Sequence, residues 1–322
     1  MDEKIIYAQK PQGDEPWDVA IIGSGPAGLT AAIYTTRGAA STIVFAGESW
    51  GGQLMLTTTV DNYPGFPDGI QGPELMQKIR SQAERFGTEI VDKNVTSVLF
   101  DKQPLEITVD GKVYLAKSVI ISTGARTKWL EVPGEKKLIG RGVATCAPCD
   151  APFYKDKKVA VVGGGDSAMT EALVLTKYAS EVTLIHRRDQ FRASAAMQEK
   201  VLNNPKIKIL WNTEIVEIVG DSKVEKLLLK NTKDQTTSEL VVNGVFIAIG
   251  HKPDSDLFKG PIDMDDRGYI KVINGTHTNL EGVFVAGEVH DTEYKQAIST
   301  AGFGCMAAMD ALKFLDKATP SW

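Results

Sequence analysis

Cysteine is scarce in this chain of 322 residues: there are three, and none precedes Cys146. That excludes the small secreted scaffolds held together by disulfides. The four histidines (His186, His251, His277 and His290) show no metal-ligand spacing, and a structural zinc site commonly needs two C-x-x-C pairs where this chain has one. No metal site is therefore expected. No apolar run approaches the roughly 18 residues of a membrane-spanning helix. Positive charge is not in excess either: 36 Lys and Arg against 41 Asp and Glu leave a net charge of −5 and a pI near 5.5. Such a chain offers no basis for binding nucleic acid or an anionic membrane. The N-terminus lacks a basic segment followed by an apolar one, so no secretory signal is expected and a cytoplasmic location is. What is present is an ordinary globular composition, 43% hydrophobic and 24% charged, and a length that suits two domains.

Two stretches share one pattern. The apolar run DVAII is followed by Gly23-Ser24-Gly25-Pro26-Ala27-Gly28 and then by a helical segment, LTAAIYTTR. This is G-x-G-x-x-G in the context it requires, after a strand and before a helix. Its glycines permit a tight turn, close approach of backbone to a pyrophosphate, and close helix–strand packing. The next strand, TIVFA, leads to Glu48, where a ribose-binding carboxylate belongs. The second copy is KKVAVV followed by Gly163, Gly164, Gly165, Asp166, Ser167 and Ala168. Its second strand, EVTLI, ends not in an acid but in His186, Arg187 and Arg188, with Arg192 close behind. Arginines there accommodate a 2′-phosphate, so this copy reads as an NADP(H) site.

Further apolar runs close in glycine: VIISTGA, VFIAIGHKPDS and VFVAGE. Continuous apolar strands of this kind belong to parallel sheets buried on both faces. The expected fold is α/β, with two nested Rossmann-like domains: residues 1–126 and 254–322 form one, and residues 127–253 are inserted in it. Residues 1–16 read as a loose extension. Just ahead of the second glycine motif stand Cys146 and Cys149, a C-x-x-C pair adjoined by Asp150. A close pair in a chain read as cytosolic points to catalysis, and a pair at a helix start has at least one acidic thiol. Cys305 lies in a helical run and reads as a packing residue.

The ordered motifs GSGPAGLTAAIY, GGQL, VDNYPGFPDGIQGPELM, STGA, CAPCD, GGGDSA, HRRDQFRAS, AIGHKPD, VFVAGEV and YKQAISTAGFGCMAA resemble the low-molecular-weight, bacterial-type NADPH-dependent thioredoxin reductases over nearly the whole chain. The resemblance implies a homodimer with FAD in the outer domain and NADPH in the inserted one. Electrons would pass from NADPH to flavin, then to the Cys146–Cys149 disulfide, then to thioredoxin. Ser24, Gly25, Pro26 and Ala27 would hold the FAD pyrophosphate. Gln53, Asn62, Thr123, Gly124, Gly287, Glu288 and Lys295 would contact other parts of FAD, and Val95 its adenine. Gln296 and Ala297, opening a C-terminal helix, would lie at the flavin pyrimidine end. Cys149 would receive the electrons, Cys146 would attack thioredoxin, and Asp150 would serve as general acid–base. The chain crossings near residues 126–130 and 251–256 would act as hinges.

Three positions depart from the family pattern: Glu288 where aspartate is usual, Lys295 where arginine is usual, and Ala151 followed by Pro152 where glycine is usual after the cysteine motif. Related alternatives fit less well. A ferredoxin-dependent flavin thioredoxin reductase would lack a working NADPH motif. A peroxiredoxin-reducing relative would carry a thioredoxin-like domain that the sixteen residues before Trp17 cannot supply. The glutathione-reductase type places its cysteines after the first glycine motif. A non-catalytic protein responsive to FAD and NADPH would have no use for the cysteine pair beside Asp150.

Overall fold

The computed structural model describes residues 9–318; residues 1–8, half of the expected N-terminal extension, and the last four residues lie outside that range. Residues 9–16 carry no helix or strand. The chain divides into two compact units, Met1–Arg126 with Lys252–Trp322, and Thr127–His251. The return to the first unit thus falls at Lys252, two residues before the expected 254.

In the first unit, parallel strands stand in the order Glu89–Val91, Thr42–Phe45, Trp17–Ile22, Lys112–Ile121 and Val283–Val285. Lys112–Ile121 is long enough to pair also with an antiparallel hairpin, Val95–Leu99 and Leu105–Val109. Side chains alternate across a strand, and here both faces are buried. Val19, Ile21, Val44, Ile120 and Phe284 enter one core, together with residues of the helices Pro26–Arg37 and Ala297–Ala318. Their neighbours Ala20, Ile22, Ile43, Phe45, Val119 and Val285 enter the other. A strand dividing its residues between two cores cannot show polar alternation, which is why DVAII is apolar throughout.

The second unit repeats the scheme with a five-stranded parallel sheet ordered Val143–Ala144, Gly244–Ile247, Lys158–Val162, Glu181–Ile185, Ile207–Leu210. Val159, Val161, Val182, Leu184 and Phe246 face one core, and Ala160, Val162, Ile185, Val245 and Ile247 the other. An antiparallel three-stranded sheet (Thr213–Val219, Lys226–Asn231, Thr237–Val241) completes the unit. The two chain crossings, at Ala125–Thr127 and His251–Pro253, pair with each other as a two-stranded ribbon.

Candidate active site

One glycine turn follows the strand Trp17–Ile22 and the other the strand Lys158–Val162, and the two are built alike. Gly23 has φ +114° and lies so close to the Ser122 carbonyl that an added Cβ would stand 2.3 Å from its oxygen. Gly28, inside the helix, faces the Gly23 carbonyl at 2.0 Å by the same measure. Gly25, between them, has nothing within 4 Å of its Cβ position. In the second unit Gly163 sits 2.4 Å from the Ala248 carbonyl oxygen and 2.7 Å from the Ala168 Cβ, while Gly165 faces open space. Glycine is therefore required by the fold at positions 23, 28 and 163, and the middle glycine of each motif leaves room for a ligand at a helix N-terminus. This is the division of roles expected of a pyrophosphate-binding turn.

Pro26, at the start of its helix, has no N–H to leave unpaired. Ser24 is occupied elsewhere: its hydroxyl donates to the Ala46 carbonyl at 2.8 Å and accepts from the Gly51 N–H at 3.0 Å. Its side chain thereby ties the turn to the second strand and to the GGQL segment. Ala27 is buried where the C-terminal helix crosses, 2.1 Å from an imagined Cβ on Gly304. The Glu48 N–H is held by the Asn94 carboxamide at 3.3 Å, which brings Glu48 beside Val95.

Around this turn the first unit assembles residues far apart in sequence. Gln53 donates to the Ala125 carbonyl at 3.1 Å, next to Gly124, and the Thr123 hydroxyl donates to the Asp254 carbonyl at 2.6 Å. The Asn62 amide donates to the Gln296 side chain at 3.3 Å. Gly287, with φ +80°, packs 3.1 Å from the Ala27 Cβ by the same measure. Glu288 is largely buried, and burial pushes its carboxyl up, with Lys295 opposing and Asp291 reinforcing. The segment before Ala297 has an organiser that sequence reasoning missed. The buried Asp291 carboxylate accepts the N–H groups of Glu293, Tyr294 and Lys295 at 2.9, 3.0 and 2.8 Å. Those bonds hold Lys295 at φ +50°, a conformation costly for a non-glycine residue. They set Gln296 and Ala297 at the start of the helix Ala297–Ala318.

In the second unit the segment after Glu181–Ile185 is fastened to the glycine turn. The N–H groups of Arg192 and Ala193 donate to the Gly164 carbonyl at 2.7 and 3.2 Å, and Ser194 donates to the Asp166 carboxylate through its N–H at 3.0 Å and its hydroxyl at 2.7 Å. These bonds hold the Asp166 carboxyl below its usual range. Ser167 is exposed and Ala168 buried. Arg187, Arg188 and Arg192 are exposed, whereas His186, grouped with them from the sequence, is buried. Its ring lies under Gly164, its Nε2 is 2.9 Å from the Gln190 carbonyl oxygen, and Phe191 and Trp211 pack on it. Burial lowers its pKa. The imidazole thus anchors the loop that displays the arginines, its side chain buried one residue beyond the strand Glu181–Ile185.

Cys146 and Cys149 form a disulfide with a Cα–Cα distance of 5.3 Å. The short helix Ala147–Asp150 starts between them, and the N–H groups of Cys149 and Asp150 donate to the Cys146 carbonyl at 3.2 and 3.1 Å. Burial pushes the Asp150 carboxyl up from 3.8 to about 6. Burial and the Asp150 charge push the Tyr154 phenol up to about 12. Ala151, the departure beside the pair, has φ −54° and ψ −36°, ordinary helical values that need no glycine. A second residue missed from the sequence is Glu171, whose carboxylate accepts the Ala147 N–H. Among the described residues no group of three or more His, Cys, Asp or Glu is placed to hold a metal ion. Cys305 is partly exposed and lies beside the Tyr34 hydroxyl. His290 packs against Phe303 with ring centroids 4.6 Å apart.

The family model described as pyridine nucleotide-disulphide oxidoreductase matches residues 17–304. The thioredoxin reductase of Streptomyces coelicolor is 51% identical over 312 residues, 94% of this chain and 97% of that one. A bifunctional thioredoxin reductase/thioredoxin of Mycobacterium leprae is 49% identical over 92% of this chain and 66% of its own length. Among solved structures, thioredoxin reductase from Giardia duodenalis superposes with a TM-score of 0.90 at 42% identity, covering 94% of this chain and 99% of that one. The chain belongs to the thioredoxin reductases. Membership accounts for a redox disulfide carried in the second α/β unit, and the family's two-domain Rossmann-like architecture is the one described above. No helix among the described residues is long and apolar enough to cross a membrane.

Proposed function

We propose that the chain transfers electrons from NADPH, through FAD, to the Cys146–Cys149 disulfide and on to oxidised thioredoxin, as a cytoplasmic homodimer. The observation that carries this reading is the pairing of two glycine turns with open middle positions, Gly25 and Gly165, in a chain whose only neighbouring cysteines are disulfide-bonded beside a protonatable Asp150. FAD fits the first unit. The turn of Gly23 to Gly28 would face its pyrophosphate, with Glu48 and Val95 toward the adenosine, and Gln53, Asn62, Thr123, Gly124, Gly287, Glu288, Lys295, Gln296 and Ala297 toward the rest. NADPH fits the second unit. Gly163, Gly165, Asp166, Ser167 and Ala168 would meet its pyrophosphate, and Arg187, Arg188 and Arg192 its 2′-phosphate, on a loop held by His186. When bound, the flavin would relay an electron pair from nicotinamide to the disulfide.

The remaining steps belong to the chain's own residues. Reduction of the disulfide takes up two electrons and two protons and breaks the S–S bond. A carboxyl with a pKa of about 6 is protonated often enough near neutrality to give a proton to the Cys149 sulfur, and ionised often enough to take one back. The Cys146 thiolate attacks the thioredoxin disulfide, forming a mixed disulfide and releasing one thioredoxin thiolate. Cys149 then attacks Cys146, which restores the intramolecular disulfide and frees reduced thioredoxin. The M. leprae relative, named as a reductase joined to a thioredoxin, supports this choice of partner. The test is NADPH oxidation on addition of oxidised thioredoxin, with Cys149→Ser as the control. Turnover that survives in that variant, or that proceeds equally with NADH, would exclude the proposed route.

A further inference from the structure

The turn that carries the redox pair has few backbone donors, and each is engaged. Pro148 has none. The Cys149 and Asp150 N–H groups donate to the Cys146 carbonyl at 3.2 and 3.1 Å. The Ala147 N–H donates across to the carboxylate of Glu171, on the neighbouring helix Asp166–Leu175. A cysteine at a helix start is ordinarily acidic because free N–H groups and the helix dipole stabilise its thiolate. Here the first donor after Cys146 is capped by a carboxylate. The Ala147 nitrogen belongs to the peptide bond that begins at the Cys146 carbonyl, so Glu171 lies close to the charge that would form on Cys146 Sγ.

We propose that Glu171 is a positioning residue for disulfide exchange: its carboxylate fixes the Cys146–Ala147 peptide and its charge disfavours a resting thiolate on Cys146. The reduced pair then holds its proton until the thiol is deprotonated for attack. The thiolate so formed, coming from a less acidic thiol, is the stronger nucleophile, since nucleophilicity rises with pKa at a slope of about 0.4–0.5. This rests on the reading that Cys146 is the thiol that attacks the protein substrate. The other ionisable groups at this turn are Asp150 on the same helix and Tyr154 on the following turn, and neither is altered in the test below.

The experiment uses the full-length holoenzyme carrying Cys149→Ser and Cys305→Ser, which leaves Cys146 as its one thiol. Alkylation by iodoacetamide is followed across pH with Glu171 and with Glu171→Gln. Glutamine keeps an oxygen for the Ala147 N–H and removes only the charge. A like charge within about 4–6 Å changes proton affinity about tenfold, and the weaker nucleophilicity of the more acidic thiol offsets about threefold of that gain, so Glu171→Gln is expected to alkylate about three- to fourfold faster near pH 6 and about threefold slower well above the thiol pKa. An unchanged profile would mean that Glu171 only supports the fold, and slower alkylation near pH 6 would reverse the sign of its charge effect; either overturns the proposal. Failure of the underlying reading is separable, because the Cys149→Ser protein would then trap no mixed disulfide with thioredoxin, whatever its alkylation profile.

Discussion

Replacing Asp150 with asparagine should improve the stability of the protein while removing most of its activity. In the native state burial raises the Asp150 carboxyl from 3.8 to about 6. Each tenfold change in proton affinity is worth about 1.4 kcal/mol, so ionising this group costs the folded state up to about 3 kcal/mol more than it costs the unfolded chain. The folded pKa is the higher one. The stability that the protonated group contributes is therefore complete below about pH 4 and is lost as pH rises through about 6. Asparagine has nearly the same shape and never ionises. At pH 8 the variant should be more stable by about 2–3 kcal/mol, and at pH 4 the two proteins should match. Urea denaturation of the oxidised proteins, followed by the fluorescence of Trp129 and Trp211 in the same unit, reads this directly. At a slope of about 1–3 kcal/mol per molar urea, the midpoint should rise by about 1–2 M at pH 8. Thioredoxin reduction should meanwhile fall about 10²–10⁴-fold, the usual cost of losing a general acid–base. An unchanged or lower midpoint at pH 8, or an equal gain at both pH values, would refute the account of Asp150.

Other perturbations separate the parts of the site. Replacing either Arg187 or Arg188 with glutamine should raise KM for NADPH by about 10–100-fold and leave NADH nearly unaffected, since each charge-assisted bond to a phosphate is worth about 1.5–3 kcal/mol; steady-state kinetics with both cofactors checks it. Gly25→Val should leave a folded protein that purifies without FAD, because its Cβ meets nothing within 4 Å inside the chain, whereas Gly23→Ala should not fold, with a backbone oxygen 2.3 Å from the new carbon. Absorbance of the purified protein and its circular dichroism distinguish the two. Cys149→Ser should trap a mixed disulfide with thioredoxin through Cys146, seen on a non-reducing gel, and Cys146→Ser should trap none.

The pieces that could be read from the sequence are those whose physics is local. DVAII and KKVAVV announce strands buried on both faces, and the spacing of Gly23, Gly25 and Gly28 announces a turn, because each constraint acts within a few residues. The glycine contacts then show which positions the fold itself demands. What could not be read depends on closure in three dimensions. His186 sits in a basic cluster in sequence, yet one residue beyond the buried strand Glu181–Ile185 its side chain turns inward, under Gly164. Ser24 lies between two glycines, but its hydroxyl is used by Ala46 and Gly51. Asp291 and Glu171 carry no motif: one shapes a loop through three backbone bonds, and the other reaches a turn 24 residues away in sequence. An acid on a helix or in a loop looks solvated until its partner is known.

The central claim is that electrons enter from NADPH and leave through the Cys146–Cys149 pair. An anaerobic titration of the yellow holoenzyme tests it most directly, with flavin absorbance and free thiols measured at each addition. NADPH should bleach the flavin and expose two new thiols on each reductase chain, and oxidised thioredoxin should then restore the colour, re-form the chain's disulfide and itself gain two thiols per molecule reduced. A flavin that bleaches and recolours while the thiols of the reductase chain, assayed apart from thioredoxin, stay constant would contradict the account.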